Sequence, residues 1–169
     1  VASLLAVGVT LRYTTVCATA PHGLTQALGI RMTLRIAIYI FPEVEVLDFA
    51  GPFEVFTTAS RVHVRRNPGA EPPFATFTVA KSSTPVKARA GLLTVPDYTL
   101  KSSPAPDLLL IPGGVVDQEL QDPELLNWVL RLSRTAKVTA SVCTGSFILA
   151  KAGLLGGKVA TTQIGRAHV

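Results

Sequence analysis

The segment Ala140-Ser141-Val142-Cys143-Thr144-Gly145-Ser146 sets one cysteine between an apolar strand-like run and an apolar helical run. A glycine two residues after the cysteine lets the chain pivot from strand into helix. This is the pattern of a nucleophile elbow, where a tight turn at the carboxyl edge of a sheet pushes one side chain out of the core. Ligands of open α/β sheets bind at that edge. A cysteine there meets the positive end of a helix dipole and unpaired backbone N–H groups. Cys143 is therefore expected to favour the thiolate, the nucleophilic form. The competing reading is a small buried hydrophobe, which is what most cysteines outside disulfides are.

Two other places point to the same edge. Pro112-Gly113-Gly114 follows an apolar run directly, and paired glycines allow backbone N–H groups to face a ligand, as an oxyanion hole requires. Gly-Gly also marks ordinary turns. Asp48 comes shortly after the first apolar run, beside Gly51-Pro52. An acid there can cap a helix. Within reach of the Cys143 sulfur it can hold a proton and act as general acid or base. Spacing alone leaves both roles open for Asp48.

The elements that must position these residues follow from periodicity. Residues 34–41 (LRIAIYIF) are near-continuously apolar and β-branched, which predicts a strand buried on both faces. Residues 48–61 carry Phe49, Phe53, Phe56 and Ala59 at helical spacing, with Pro52 expected in the first turn. Residues 74–80 alternate as a strand, and 86–90 with 92–95 predict a small hairpin about Gly91. Residues 107–111 predict a short buried strand.

Residues 122–134 predict an amphipathic helix with Asp122 as cap, Pro123 in its first turn and Leu125, Val129 and Leu132 buried. Trp128 beside that stripe is read as packing. Residues 137–142 predict a strand and 147–152 a helix ended by Gly153. Strand and helix alternate, so the expected fold is α/β, a mostly parallel doubly wound sheet with helices on both faces.

The 169 residues amount to one domain. The net charge of +5 does not mark a nucleic-acid binder, because residues 32–162 hold 13 basic and 11 acidic side chains and net only +2. The remaining excess is Arg12, Arg31 and Arg166 in the flanks. Arg61, His63, Arg65 and Arg66 cluster where a helix should end, and cations there suit its dipole. No run reaches the roughly 18 apolar residues that a membrane span needs. Two cysteines, Cys17 and Cys143, are too few for a disulfide framework or a metal site, and the default setting is reduced and cytoplasmic.

The only methionine is Met32, two residues before the first strand, and residues 1–31 show no clean period. They are expected to be an upstream extension, with a cleaved targeting peptide as the alternative. Residues 163–169 (QIGRAHV) back-translate to read-through into a common sequencing adapter. The natural frame is therefore expected to leave this chain after Thr162, with the α/β fold incomplete at its carboxyl end.

Three segments carry a resemblance: IAIYIFPEVEVLDFAGPFEVF (36–56), LLLIPGG (108–114) and SVCTGSFILAKAGLLGGKVATT (141–162). They resemble the ThiJ/PfpI superfamily (class I glutamine amidotransferase-like), particularly its isonitrile-hydratase-like branch, across about residues 33–162. The resemblance implies a flavodoxin-like sandwich, commonly a homodimer, with Cys143 as nucleophile. Asp48 is implied close to the sulfur, with Thr144 shaping the site and Gly113 and Gly114 at the oxyanion region. No metal or organic cofactor is implied.

Protease-like members carry histidine directly after the cysteine, and Thr144 stands there, which disfavours a peptidase. Glyoxalase- and deglycase-type members carry glutamate where this chain has Asp48. The branch normally continues KVATT with histidine and an aromatic, and here Gln163 intervenes. The first expectation is a cysteine-dependent hydratase or hydrolase for a small carbon–nitrogen compound, turning an isonitrile into an N-substituted formamide. The second is the ligand-sensing N-terminal domain of an AraC-type transcription regulator. The third is a redox or carbonyl-stress protein built on a low-pKa thiol.

Overall fold

The chain is seen in a computed structural model that describes residues 33–162 and the backbone of residues 7–10. Its elements are β1 (Val7–Thr10), β2 (Leu34–Tyr39), α1 (Val46–Arg66), β3 (Phe74–Ala80), β4 (Val86–Lys87), β5 (Leu93–Thr94), β6 (Tyr98–Thr99), β7 (Leu108–Ile111), α2 (Pro123–Ser133), β8 (Val138–Val142) and α3 (Gly145–Lys151). The main sheet runs in the order β1-β8-β7-β2-β3-β6, and β4 and β5 form a separate antiparallel hairpin. Strands β8, β7, β2, β3 and β6 are mutually parallel, and β1 lies antiparallel to β8 at the edge. The expected mostly parallel α/β architecture is therefore what the chain forms. Of the segment set apart at residues 1–31, residues 7–10 pair their backbone with β8. The rest of it, with Cys17, and residues 163–169 lie outside the described residues.

Strand β2 is central, with β3 and β7 pairing along its two edges. A strand in that place needs apolar residues at every position, without alternation. Ile36, Ala37, Ile38 and Tyr39 are accordingly all buried. Ile38 pairs with Thr78 on one side and Leu110 on the other, and Leu110 pairs with Ala140 of β8. This register brings the carboxyl ends of β2, β7 and β8 side by side. Trp128 is buried on α2 and lies 5.9 Å from the Tyr39 ring, a packing role as expected.

The sequence reading places α1 imperfectly. The helix starts at Val46, so Pro52 lies in its interior and not in its first turn. A proline there has no N–H to give, and the carbonyl of Asp48 loses its usual intrahelical partner. The face turned to the sheet also differs. Ala59 is exposed, whereas Ser60 is buried and exchanges hydrogen bonds with the Phe74 backbone at 2.9 and 3.1 Å. Strand β6 was not anticipated, because a two-residue strand leaves no period to read.

Helix α2 is started by Asp122, whose Oδ1 accepts from the N–H groups of Glu124 and Leu125 at 2.9 and 3.3 Å. Asp122→Ala leaves both donors without that acceptor. It should cost about 1 kcal/mol, read as a lower denaturant midpoint with an unchanged slope. No helix among the described residues is long and apolar enough to cross a membrane.

Candidate active site

The loops after β2 and β7 are sewn together by backbone bonds. Glu45 N–H donates to the Gly113 carbonyl at 2.9 Å, Val115 N–H donates to the Glu43 carbonyl at 3.2 Å, and Val44 bridges Gly114. Gly114 has φ +147°, and a Cβ on it would stand 2.4 Å from the Glu43 carbonyl oxygen. The second glycine is thus required by backbone approach. This seam fixes the first turn of α1 over the end of β7. It also turns Asp48, only 4% exposed, inward beneath the loop.

The turn after β8 is an elbow, with the strain located differently from the sequence reading. Cys143 itself has φ +52°, the left-handed region that side chains avoid at a cost of about 1–2 kcal/mol. Gly145 already belongs to α3, two residues before the expected start. Its role is close approach: a Cβ there would lie 2.2 Å from the Ile111 carbonyl oxygen and 2.7 Å from that of Pro112. The Cys143 carbonyl accepts from the Ser146 hydroxyl at 3.1 Å and the Thr162 hydroxyl at 3.0 Å, which holds the left-handed turn. Neither bond could be read from spacing.

The side chains of Asp48 and Cys143 hydrogen-bond each other. Asp48 is not the cap of its helix; Glu45 occupies that position. Asp48 Oδ2 also accepts from the Gly113 N–H at 3.2 Å. Thr144 Oγ1 accepts from the Gly114 N–H and donates to the Gly114 carbonyl, both at 2.9 Å. All five residues singled out in the sequence therefore meet at one place. The two glycine amides are engaged, one by Asp48 and one by Thr144.

Burial pushes the Asp48 carboxyl above its ordinary value; the Gly113 N–H opposes that, and the nearby Glu45 charge adds to it. Burial also pushes the Cys143 thiol up. The Thr144 backbone N–H pulls it down, while the Asp48 charge raises it further. The sequence reading had the helix end favouring thiolate. Burial of the sulfur and the Asp48 charge act against that expectation. The thiol and the carboxyl group are joined by a hydrogen bond, and burial shifts both upward. Such a pair suits proton transfer during nucleophilic attack, because sulfur becomes anionic only as its new bond forms.

The sequence model of the DJ-1/PfpI family matches residues 34–168. The chain is 35% identical over 133 residues to the isonitrile hydratase of Pseudomonas putida, a match covering 78% of this chain and 53% of the relative. A 51-residue stretch is 47% identical to the HTH-type transcriptional regulator Rv1931c of Mycobacterium tuberculosis, covering 30% of this chain and 20% of the regulator. Among solved structures, a ThiJ/PfpI family protein from Pseudomonas syringae superposes with TM-score 0.63 at 32% identity, over 75% of this chain and 48% of that one. The chain thus spans about half the length of the hydratase and of the solved structure. With a family match over most of its length and a superposable fold, the chain belongs to the DJ-1/PfpI family.

Proposed function

We propose that this protein is a cysteine-dependent hydratase that adds water to the terminal carbon of a small isonitrile and releases an N-substituted formamide. The observation that carries the reading is the hydrogen bond between the Asp48 carboxyl and the Cys143 thiol, at an elbow held open by Gly114 and Gly145. The likeness to the Pseudomonas putida isonitrile hydratase supports the choice of substrate.

In this reading Cys143 sulfur attacks the isonitrile carbon while Asp48 takes the thiol proton. Asp48 returns that proton to the same carbon, giving a thioimidate in which carbon carries hydrogen, sulfur and the doubly bonded nitrogen. Water then adds to the carbon, with Asp48 accepting one of its protons and the nitrogen gaining one. Collapse of the adduct breaks the C–S bond, restores the thiol with the proton from Asp48 and frees the formamide. One water is consumed and nothing is oxidised or reduced, so no metal or organic cofactor is called for. Gly113 and Gly114 serve first to orient Asp48 and Thr144, and Thr144 fixes the turn against the β7 loop.

The test is conversion of n-butyl isonitrile to N-butylformamide, followed by proton NMR, with wild type and Asp48→Asn. Wild type should turn over, and the variant should lose about a hundredfold or more, the range typical of general acid–base groups. Turnover undiminished in Asp48→Asn would remove the carboxyl group from the mechanism. No turnover by wild type would move the protein to the second reading, a ligand-sensing domain of a transcription regulator. The match to the Mycobacterium tuberculosis regulator favours that alternative, and sequencing the gene past the codon for Thr162 decides whether a helix-turn-helix domain follows. The redox reading needs a depressed thiol, and burial acts in the opposite direction. A homodimer in a reduced cytoplasm completes the proposal. Leu47 and Val55 on α1, with Leu93 and Val95 on the hairpin, are each more than 60% exposed and offer apolar surface to a second copy.

A further inference from the structure

A second concavity lies at the carboxyl ends of β2 and β3, about 640 Å³ in volume. None of Cys143, Asp48 and Thr144 lines it. Its walls include Phe41 and Val86, and Lys81 and Gln121 stand among its polar lining. Tyr39 and Glu119, both more than nine-tenths buried, also line it.

The Tyr39 hydroxyl donates to Glu119 Oε2 at 2.6 Å. Among the described residues no donor reaches Glu119 Oε1, and that atom is not enclosed either, since Thr76 Oγ1 is the one orphaned buried atom. Oε1 therefore keeps some exposure, on a residue that lines the cavity. Burial pushes the Glu119 carboxyl above its ordinary value, with the Tyr39 hydroxyl and the Lys81 charge opposing and the Asp122 charge reinforcing it. The nearby cation, Lys81, is committed to Asp122.

The polar floor thus offers an acceptor with no matching donor. The single Tyr39 proton is spent, and Lys81, whose charge reaches the carboxylate, makes its ion pair with Asp122 and not with Glu119. A carboxylate held in protein without a paired cation is unfavourable, and a ligand can supply what is missing. An anionic ligand would meet Glu119 and Asp122 with no free positive group between them.

We propose that this cavity is a second ligand site, built for a small organic cation whose N–H donor meets Glu119 Oε1 and whose short apolar body rests on Phe41 and Val86. It is separate from the cysteine site and does not depend on the reaction assigned there.

The experiment is calorimetric titration of the full chain with n-butylammonium chloride and, separately, sodium n-butyrate. Wild type should bind the cation saturably and the anion not at all. Glu119→Gln keeps the shape and a hydrogen-bonding oxygen but removes the charge, and should weaken cation binding about tenfold or more. Thr84→Trp, at an exposed lining position, should weaken it as much by filling the space without touching the core. Cys143→Ser should bind like wild type. Absence of saturable n-butylammonium binding, equal binding of butyrate, or binding unchanged in both Glu119→Gln and Thr84→Trp would each overturn the proposal.

Discussion

Cys143→Ser is expected to cut conversion of n-butyl isonitrile by at least about a thousandfold while leaving the melting profile close to that of wild type. The two side chains are nearly isosteric, and the left-handed turn at residue 143 is imposed by its surroundings, so serine inherits the same geometry. What changes is acidity. A hydroxyl is far harder to deprotonate than a thiol, and Asp48, raised by burial though it is, remains too weak a base to activate it.

The pH dependence carries a sign. Asp48 must be ionised to accept the thiol proton, so wild-type turnover should rise with pH through the raised Asp48 value, and that limb should vanish in Asp48→Asn. Stability runs the other way. A carboxyl raised in the folded state contributes stability that is present below its unfolded value and lost as pH rises through its folded value. Asp48→Asn should therefore be no less stable than wild type at neutral pH, although slower by about a hundredfold or more. Full turnover by Cys143→Ser would show that the reaction does not need a thiol at residue 143.

The parts of this site that the sequence reveals are those written in residue type and period. The near-continuous apolar run over residues 34–41 marks a strand covered on both faces. A cysteine at the end of a similar run, two residues before a glycine, marks the elbow. Asp122 before Pro123 marks a helix start, and its side chain caps α2 as that pair implies. What stays hidden depends on partners far apart in the chain. Asp48 has the same local signature whether it caps a helix or reaches residue 143. Only the packing of α1 over β7 decides, through a bond to Gly113 across 65 positions. The start of α1 was hidden because Val46 and Leu47 belong to an apolar stretch with no capping side chain at Glu45. The influences that push the Cys143 thiol up, burial of the sulfur and the charge of Asp48, are hidden for a related reason: both come from packing between distant segments.

Gly145→Ala is the substitution expected to damage this fold most per atom added. Gly145 is the first residue of α3, where alanine gains only part of the roughly 1 kcal/mol by which it is preferred in a helix interior, so propensity alone predicts a small stabilisation. Packing reverses the sign. The new methyl would stand 2.2 Å from the Ile111 carbonyl oxygen and 2.9 Å from its carbon. Both neighbours are backbone of a central strand, which cannot turn aside as a long side chain can. Helix α3 would have to move off β7, opening the contact beneath buried Ile148 and Leu149.

The expected cost is about 3 kcal/mol, toward the upper end for overpacking. The same displacement carries Cys143 away from Asp48, and a shift of about 1 Å is enough to lower turnover about a hundredfold in whatever protein remains folded. Gly156→Ala is the control, since a methyl there meets nothing within 4 Å and the residue does not need a positive φ. It should change stability by less than about 0.5 kcal/mol. Urea titrations of the two variants, read beside formamide production, separate the outcomes. If Gly145→Ala proves as stable as Gly156→Ala, the close seat of α3 on β7 is not what fixes the elbow, and the left-handed turn at Cys143 must be held by the hydrogen bonds that Ser146 and Thr162 donate to its carbonyl.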